Sequence, residues 1–306
     1  MADTRSQISI IYPGNDDEFH RMLARRLFTV LEEESWEVRL RSSREPCETV
    51  MDGSGDAIIA VVDPVGCAAA SNDRSEFFAK LTAASRRIAI SAGAVEDARY
   101  RQQLRLPVDF DAVFDVGFVS QRDKHPNSDV PYYFVFNGPT KREEQIIAEL
   151  PPSQERHIPW AVVGHQNPEN LGLVAELIDY KLYPEGFVFL QRSPRTRKGR
   201  APLNPSELAA VLSNTNYYLW SSQYSSAYYE SFRFVEALLV GTVPCKIDSG
   251  CLRKVSEIPG IFPSAQSFCE NVREDGSWSS MYRLAREFYM SKGSLAEHLK
   301  EALRLV

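Results

Sequence analysis

The chain has no apolar run longer than a strand. Its longest, such as Ala57 to Val62, fall far short of the roughly 20 residues a membrane-crossing helix needs. No transmembrane segment is expected, and the polar start offers no apolar stretch to serve as an export signal. Cysteine is sparse too. The five residues Cys47, Cys67, Cys245, Cys251 and Cys269 are odd in number and show no Cys-x-x-Cys spacing. That pattern argues against a disulfide scaffold or a structural zinc site and fits reduced thiols in the cytoplasm. A Gly-x-Gly-x-x-Gly fingerprint, a P-loop and a Gly-x-Ser-x-Gly elbow are all missing, which removes ordinary dehydrogenase, NTPase and serine hydrolase readings. Positive charge is not in excess: the net charge is -6, so a general nucleic-acid partner is not expected.

What the 306 residues do contain is a regular alternation of strand-like and helix-like runs, the pattern of parallel sheets covered by helices. Ile8 to Tyr12 reads as a strand. Asp16 to Glu34 reads as an amphipathic helix with Phe19, Met22, Leu23, Leu27, Val30 and Leu31 on one face. Strands follow at Trp36 to Leu40, Ala57 to Val62, Arg87 to Ile90 and Ala112 to Phe118, with helices around Phe77 to Leu81 and Val95 to Gln102. The polar stretch 119–131, holding Pro126, predicts a linker. Tyr132 to Phe136 then opens a second series, giving domains at 1–130 and 131–306. The tail reads as two helices, Met281 to Tyr289 and Leu295 to Leu303. Asn204-Pro205-Ser206-Glu207 carries the N-cap, first-turn proline and capping-box glutamate of a helix start.

The densest chemistry lies at Glu230-Ser-Phe-Arg233-Phe-Val-Glu236-Ala-Leu-Leu-Val-Gly241-Thr-Val-Pro244-Cys-Lys-Ile247. Phe232, Val235, Leu238 and Leu239 make one apolar helical face, Ser231 is placed as the N-cap, and Gly241 ends the helix before a strand at Val243 to Ile247. A helix start of this kind attracts anions. Arg233 and Glu236 lie one turn apart, a cation that forks onto phosphate and a carboxylate that receives two hydroxyls, so a diphosphate with a ribose fits the pair. An Arg233–Glu236 pair within a plain core helix is the competing reading.

Ser231-x-Arg233-x-x-Glu236-Ala-Leu-x-x-Gly241-x-x-Pro244 resembles the donor-nucleotide segment of GT-B glycosyltransferases, closest to exostosin-like and fucosyltransferase-like domains. The resemblance is specific over about twenty residues. It implies two Rossmann-like, doubly wound domains facing across a cleft, a last helix that returns toward the first domain, a nucleotide-sugar donor in the second, an unidentified acceptor against the first, and no metal or other cofactor. It places the diphosphate on Ser231 and Arg233 and the ribose on Glu236. Retaining members of the class usually carry a glutamate eight positions before the ribose glutamate; here that position is Tyr228, with Glu230 two places on. Tyr228, Tyr229 and Glu230 are therefore the candidates for contact with donor sugar or base.

Further diphosphate ligands are expected at Lys141 or Arg142, after the strand Tyr132 to Phe136, and at Arg192, which opens a run of five cations ending at Arg200. For the group that deprotonates the acceptor, Asp63 ranks first because it closes an apolar strand where ligands of such sheets bind. His20, on the first helix, ranks second. Asp109-Phe110-Asp111 matches the Asp-x-Asp pattern of metal-dependent transferases, but short acidic matches are common by chance. Two alternatives stay open: a nucleotide-sugar-binding protein without turnover, acting as a partner subunit, and a nucleotide-sugar epimerase of the same architecture.

Overall fold

The computed structural model describes residues 7–14, 18–45, 58–91, 106–120, 130–150, 156–180, 186–191, 203–221, 229–248, 257–272 and 277–306. Among them the chain forms two compact α/β units. The first holds residues 1–140 and 293–306, the second 141–292.

In the first unit, β1 (Gln7–Tyr12), β2 (Glu37–Ser42), β3 (Ile58–Val62), β4 (Arg86–Ser91), β5 (Ala112–Gly117) and β6 (Tyr132–Phe136) pair in parallel in the order β2-β1-β3-β4-β5-β6. Every residue of β3 and β5 is buried, which is why both read as continuous apolar runs rather than alternations. The helices of this unit are α1 (Glu18–Glu33), α2 (Pro64–Ala70) and α3 (Arg74–Ala83), together with Leu295–Arg304 from the chain end. Leu23, Leu27, Val30 and Leu31 of α1 are buried at helical spacing, each such side chain adding roughly 1.5–3 kcal/mol of burial.

The boundary expected at 130 is corrected by the sheet. Tyr132–Phe136 is the edge strand of the first sheet, paired with β5 from Val113↔Tyr132 to Gly117↔Phe136, and the units divide after Thr140. The polar stretch before it is a strand-to-strand connection within one sheet. The helix expected at Val95 to Gln102 lies outside the described residues.

The second unit runs through α4 (Lys141–Glu149), β7 (Ile158–His165), α5 (Pro168–Asp179), β8 (Gly186–Gln191), α6 (Pro205–Ser213), β9 (Thr215–Ser221), α7 (Ser231–Leu239), β10 (Val243–Ile247), β11 (Ile261–Phe262), α8 (Ala265–Val272) and α9 (Ser277–Ser291). Its strands are again parallel, ordered β11-β10-β9-β7-β8. The capping box read at the start of α6 is present: Asn204 accepts from the Glu207 backbone while Glu207 accepts from Asn204 N–H. The chain's final helix, α10 (Leu295–Arg304), begins with a second capping box, Ser294 with Glu297. No described helix is long and apolar enough to cross a membrane.

Both sheets reverse direction once. In the first, the chain leaves β1 to one side for β2 and returns to the other for β3; in the second, β7 precedes β8 on one side and β9 on the other. Neighbouring loops diverge at such a reversal and open a crevice at the carboxyl edge, where ligands of parallel sheets bind.

Candidate functional site

Of the residues singled out in the sequence, His20 and Asp63 lie at the first reversal and Glu230, Arg233 and Glu236 at the second. In the second unit, α7 starts just beyond the carboxyl end of β9, so its first turn lies over the edge shared by β7 and β9. Arg233 is half-buried there. Its Nη1 donates to the Val163 carbonyl on β7 and to the Tyr218 phenolic oxygen on β9, both at 2.6 Å. The guanidinium also lies over the Tyr218 ring, 5.8 Å from its centroid. Nη2 and Nε make no hydrogen bond to the described residues, and Nη2 faces Gly164, where an added Cβ would sit 3.2 Å away. Asn170, buried at the start of α5, fastens the strand ends beside it. Its Nδ2 donates to the His165 carbonyl at 2.9 Å, and its Oδ1 accepts from the Ser221 hydroxyl at 3.0 Å.

Glu236 follows Arg233 by one turn and is half-buried, with no hydrogen bond to its carboxyl among the described residues. Burial pushes it up from the usual carboxylate range to about 7, against a downward pull from Arg233. Burial likewise raises the Tyr218 phenol to about 12, although Arg233 opposes it. For Arg233, burial presses the pKa down, but Tyr218, Glu230 and Glu236 outweigh it and the net direction is up. The cluster is thus a permanent cation, a neutral phenol that orients it, and a carboxyl balanced between two charge states.

The N-cap expectation is corrected. Glu230 holds that position and Ser231 is the first helical residue, fully buried. The Glu230 carbonyl accepts from Arg233 N–H at 3.1 Å and from Phe234 N–H at 3.4 Å. Its side chain makes no cap bond because it is drawn the other way. Glu230 Oε2 takes the Lys246 ammonium at 2.5 Å and the Trp220 indole N–H at 3.0 Å. With Ser231 and Phe232 both buried, the helix tip is closed at those residues. Ser231 is therefore not placed to bind phosphate, and the groups half-exposed at this end are Glu230, Arg233 and Glu236.

Tyr229 is corrected as well: it is buried, its ring set edge-on to Trp220 and Phe234, and it belongs to the core. Lys141 and Arg142 are exposed at the start of α4. Tyr228 and Arg192 lie outside the described residues.

In the first unit, Asp63 and His20 come together at the β1/β3 reversal. Asp63 follows β3 in a left-handed conformation, φ 48°, at the N-cap of α2, yet its side chain caps nothing. Its Oδ2 stands 3.8 Å from Nε2 of the buried His20. The carboxylate rests over Gly66, where an added Cβ would meet Oδ2 at 2.2 Å. Two candidates 43 positions apart in the chain thus form one pair. Cys67, also beside Asp63, is buried; burial and the Asp63 charge raise its thiol well above the usual range, so it is an inert core residue. In the Asp-x-Asp match, Asp111 is tied to Arg87 by a 2.7 Å bond from the backbone and 3.2 and 3.3 Å bonds from the side chain.

Sequence reasoning missed Tyr218, Trp220, Asn170 and Lys246. Tyr218 and Trp220 are aromatic residues of the buried strand β9, where composition gives no reason to set them apart from the core, and Lys246 lies within the strand Val243–Ile247. The one local signal was Lys246 itself, a lone cation inside an apolar strand.

No protein-family model and no curated protein matches the chain in sequence. Solved structures resemble it in shape at low identity. An α1,3-fucosyltransferase is 11% identical with a TM-score of 0.42, covering 92% of this chain and 83% of its own. The glycosyltransferase SnogD from Streptomyces nogalater is 11% identical with a TM-score of 0.46, covering 99% of this chain and 100% of its own.

Proposed function

We propose that the protein is a glycosyltransferase that binds a nucleotide-diphosphate sugar in its second unit and moves the sugar to a hydroxyl acceptor. The observation that carries this reading is Arg233. It is anchored through Nη1 at the β7/β9 reversal with its Nη2 and Nε edge uncommitted, and a carboxyl at Glu236 lies one turn away. A guanidinium edge receives phosphate oxygens in bidentate fashion, and a carboxylate receives the paired hydroxyls of a ribose.

In this scheme negative charge grows on the departing diphosphate as the glycosidic bond breaks. Arg233 takes up that charge without having to move, because Tyr218 and Val163 already fix it. The side chain itself supplies the positive charge, so the scheme requires no metal. Glu230 meets hydroxyls of the donor sugar. His20 and Asp63 are the candidate acid–base pair, His20 taking up a proton and Asp63 steadying the resulting imidazolium.

Calorimetric titration with uridine, guanosine and thymidine diphosphates tests the donor site. The wild-type protein is expected to bind one of them, and Arg233→Ala and Glu236→Ala each to weaken it about tenfold or more. Full affinity in both variants would overturn the assignment. Release of nucleoside diphosphate from the matching sugar nucleotide, dependent on an added acceptor, separates transfer from binding without turnover.

A further inference from the structure

Lys246 is the least expected residue of the second unit. It sits inside β10, wholly buried, with Val243, Pro244 and Cys245 preceding it as buried strand neighbours. An ammonium there is costly unless paired. Its Nζ lies 2.5 Å from Glu230 Oε2 and 3.8 Å from Asp248 Oδ2. Trp220, its register partner on β9, donates its indole N–H to the same Glu230 oxygen at 3.0 Å. Two buried donors from adjacent strands therefore hold one carboxylate oxygen.

The other oxygen, Oε1, accepts no hydrogen bond from the described residues, and the Glu230 side chain keeps 14% of its surface exposed. Glu230 stands three positions before Arg233 at the same helix end. Its rotamer is fixed from behind, so it presents a stationary acceptor rather than a mobile charge. With Arg233 taken up by the diphosphate in the donor-site reading, the cation left to Glu230 is Lys246, which it shares with the Asp248 carboxylate. Such a site receives O–H donors and repels a second carboxylate.

We infer that Lys246 and Trp220 are positioning residues that fix Glu230 as a hydroxyl acceptor for the transferred sugar, and that this restricts the donor to neutral, polyhydroxylated glycosyl groups over uronic acids. The inference rests on the donor-site reading above and adds the substrate class to it.

The test is calorimetry on the full chain with UDP, UDP-glucose and UDP-glucuronic acid, and with GDP, GDP-mannose and GDP-mannuronic acid. Wild-type protein is expected to bind the neutral sugar nucleotide at least about tenfold more tightly than its uronic counterpart. Glu230→Gln, which keeps shape and loses charge, should narrow that ratio to within about twofold, whereas Lys246→Met, which takes the ammonium from Glu230 and Asp248 and leaves both carboxylates, should widen it. If Lys246→Met does not fold by near-ultraviolet circular dichroism, Trp220→Phe, which removes the indole N–H, must narrow the same ratio. A purely structural role for Lys246 or Trp220 would leave the ratio where it was, and that result overturns the inference. Equal binding of neutral and uronic donors by the wild-type protein overturns it alone, with bare diphosphate binding still in place. Failure of every nucleotide to bind overturns the donor site and this inference together.

Discussion

Arg233 donates to the phenolic oxygen of Tyr218 at 2.6 Å, and Tyr218 passes its own proton toward the Val163 carbonyl at 3.4 Å. The three groups form a closed triangle between α7, β9 and β7. With burial holding the phenol near 12, Tyr218 stays neutral and works as an orienting group. Tyr218→Phe leaves Nη1 with one acceptor and lets the guanidinium swing. Its expected cost is about 1–2 kcal/mol of stability in urea denaturation. Nucleoside diphosphate affinity should fall about fivefold to tenfold by calorimetry. Unchanged affinity would mean that Arg233 is fixed well enough by Val163 alone.

Glu236 makes stability depend on pH in a direction opposite to that of a salt-bridged acid. Its folded-state value near 7 lies above the ordinary 4.5 because burial disfavours the charge. Between those values the folded protein holds a proton that the unfolded chain has released. The contribution of Glu236 to stability is therefore greatest below pH 4.5, declines as pH rises toward 7, and is fully lost above it. The loss is expected to be on the order of 1–3 kcal/mol. Glu236→Gln should remove this component, so that the difference in unfolding free energy between variant and wild type grows from pH 5 to pH 8. A constant difference across that range would show that the carboxyl is not held up by burial.

The parts of this protein legible in its sequence are those that depend on near neighbours. Arg233 and Glu236 share a helix face because three positions make most of a turn, and the Asn204 box at α6 depends on the same short spacing. Strand order is a different kind of information. Nothing local says that β1 lies beside β3 or β7 beside β9, so the meeting of His20 with Asp63 and the crossing of Arg233 to Val163 could not be read in advance. The Ser231 error has the same origin. Serine is the better cap by composition, but Glu230 takes the position because its side chain reaches Lys246, 16 residues away. The edge strand Tyr132–Phe136 was given to the wrong unit because the polar stretch before it carries the composition of a linker. Composition does not record which sheet a strand joins.

Asp63 carries backbone strain that the surrounding structure maintains. At φ 48° a residue with a Cβ costs about 1 kcal/mol relative to glycine. Here the strain aims the carboxylate over Gly66 and toward His20. Asp63→Gly should therefore leave thermal stability unchanged or raise it slightly, while lowering turnover about a hundredfold or more by removing the partner of the base. Gly66→Ala should also lower turnover, since its Cβ displaces the carboxylate while Asp63 itself is retained. A turnover assay beside a thermal melt checks both. Loss of stability in Asp63→Gly without loss of turnover would reduce Asp63 to a structural turn residue.

Arg156 predicts the opposite outcome, a stability defect with the site intact. It lies at the amino edge of the second sheet, two residues before β7, and donates to the carbonyls of Leu212, Ser213, Thr215 and Val240 and to the Thr242 hydroxyl. Those acceptors end α6, end α7 and begin β9, so one guanidinium closes two helix C-termini and adds favourable charge to both. Burial lowers its pKa, with Tyr282 opposing. The Trp278 ring, 5.6 Å from the guanidinium carbon, covers it. Arg156→Met strips the donors from four carbonyls and should cost about 3 kcal/mol or more in urea denaturation. Arg156→Lys should recover little of this, because an ammonium cannot reproduce the planar fork. The carboxyl edge lies at the far end of the same strands. Where the variant remains folded, its nucleoside diphosphate affinity is therefore expected to match the wild-type value. A urea midpoint equal to wild type would show that the helix ends find solvent as good a partner as Arg156.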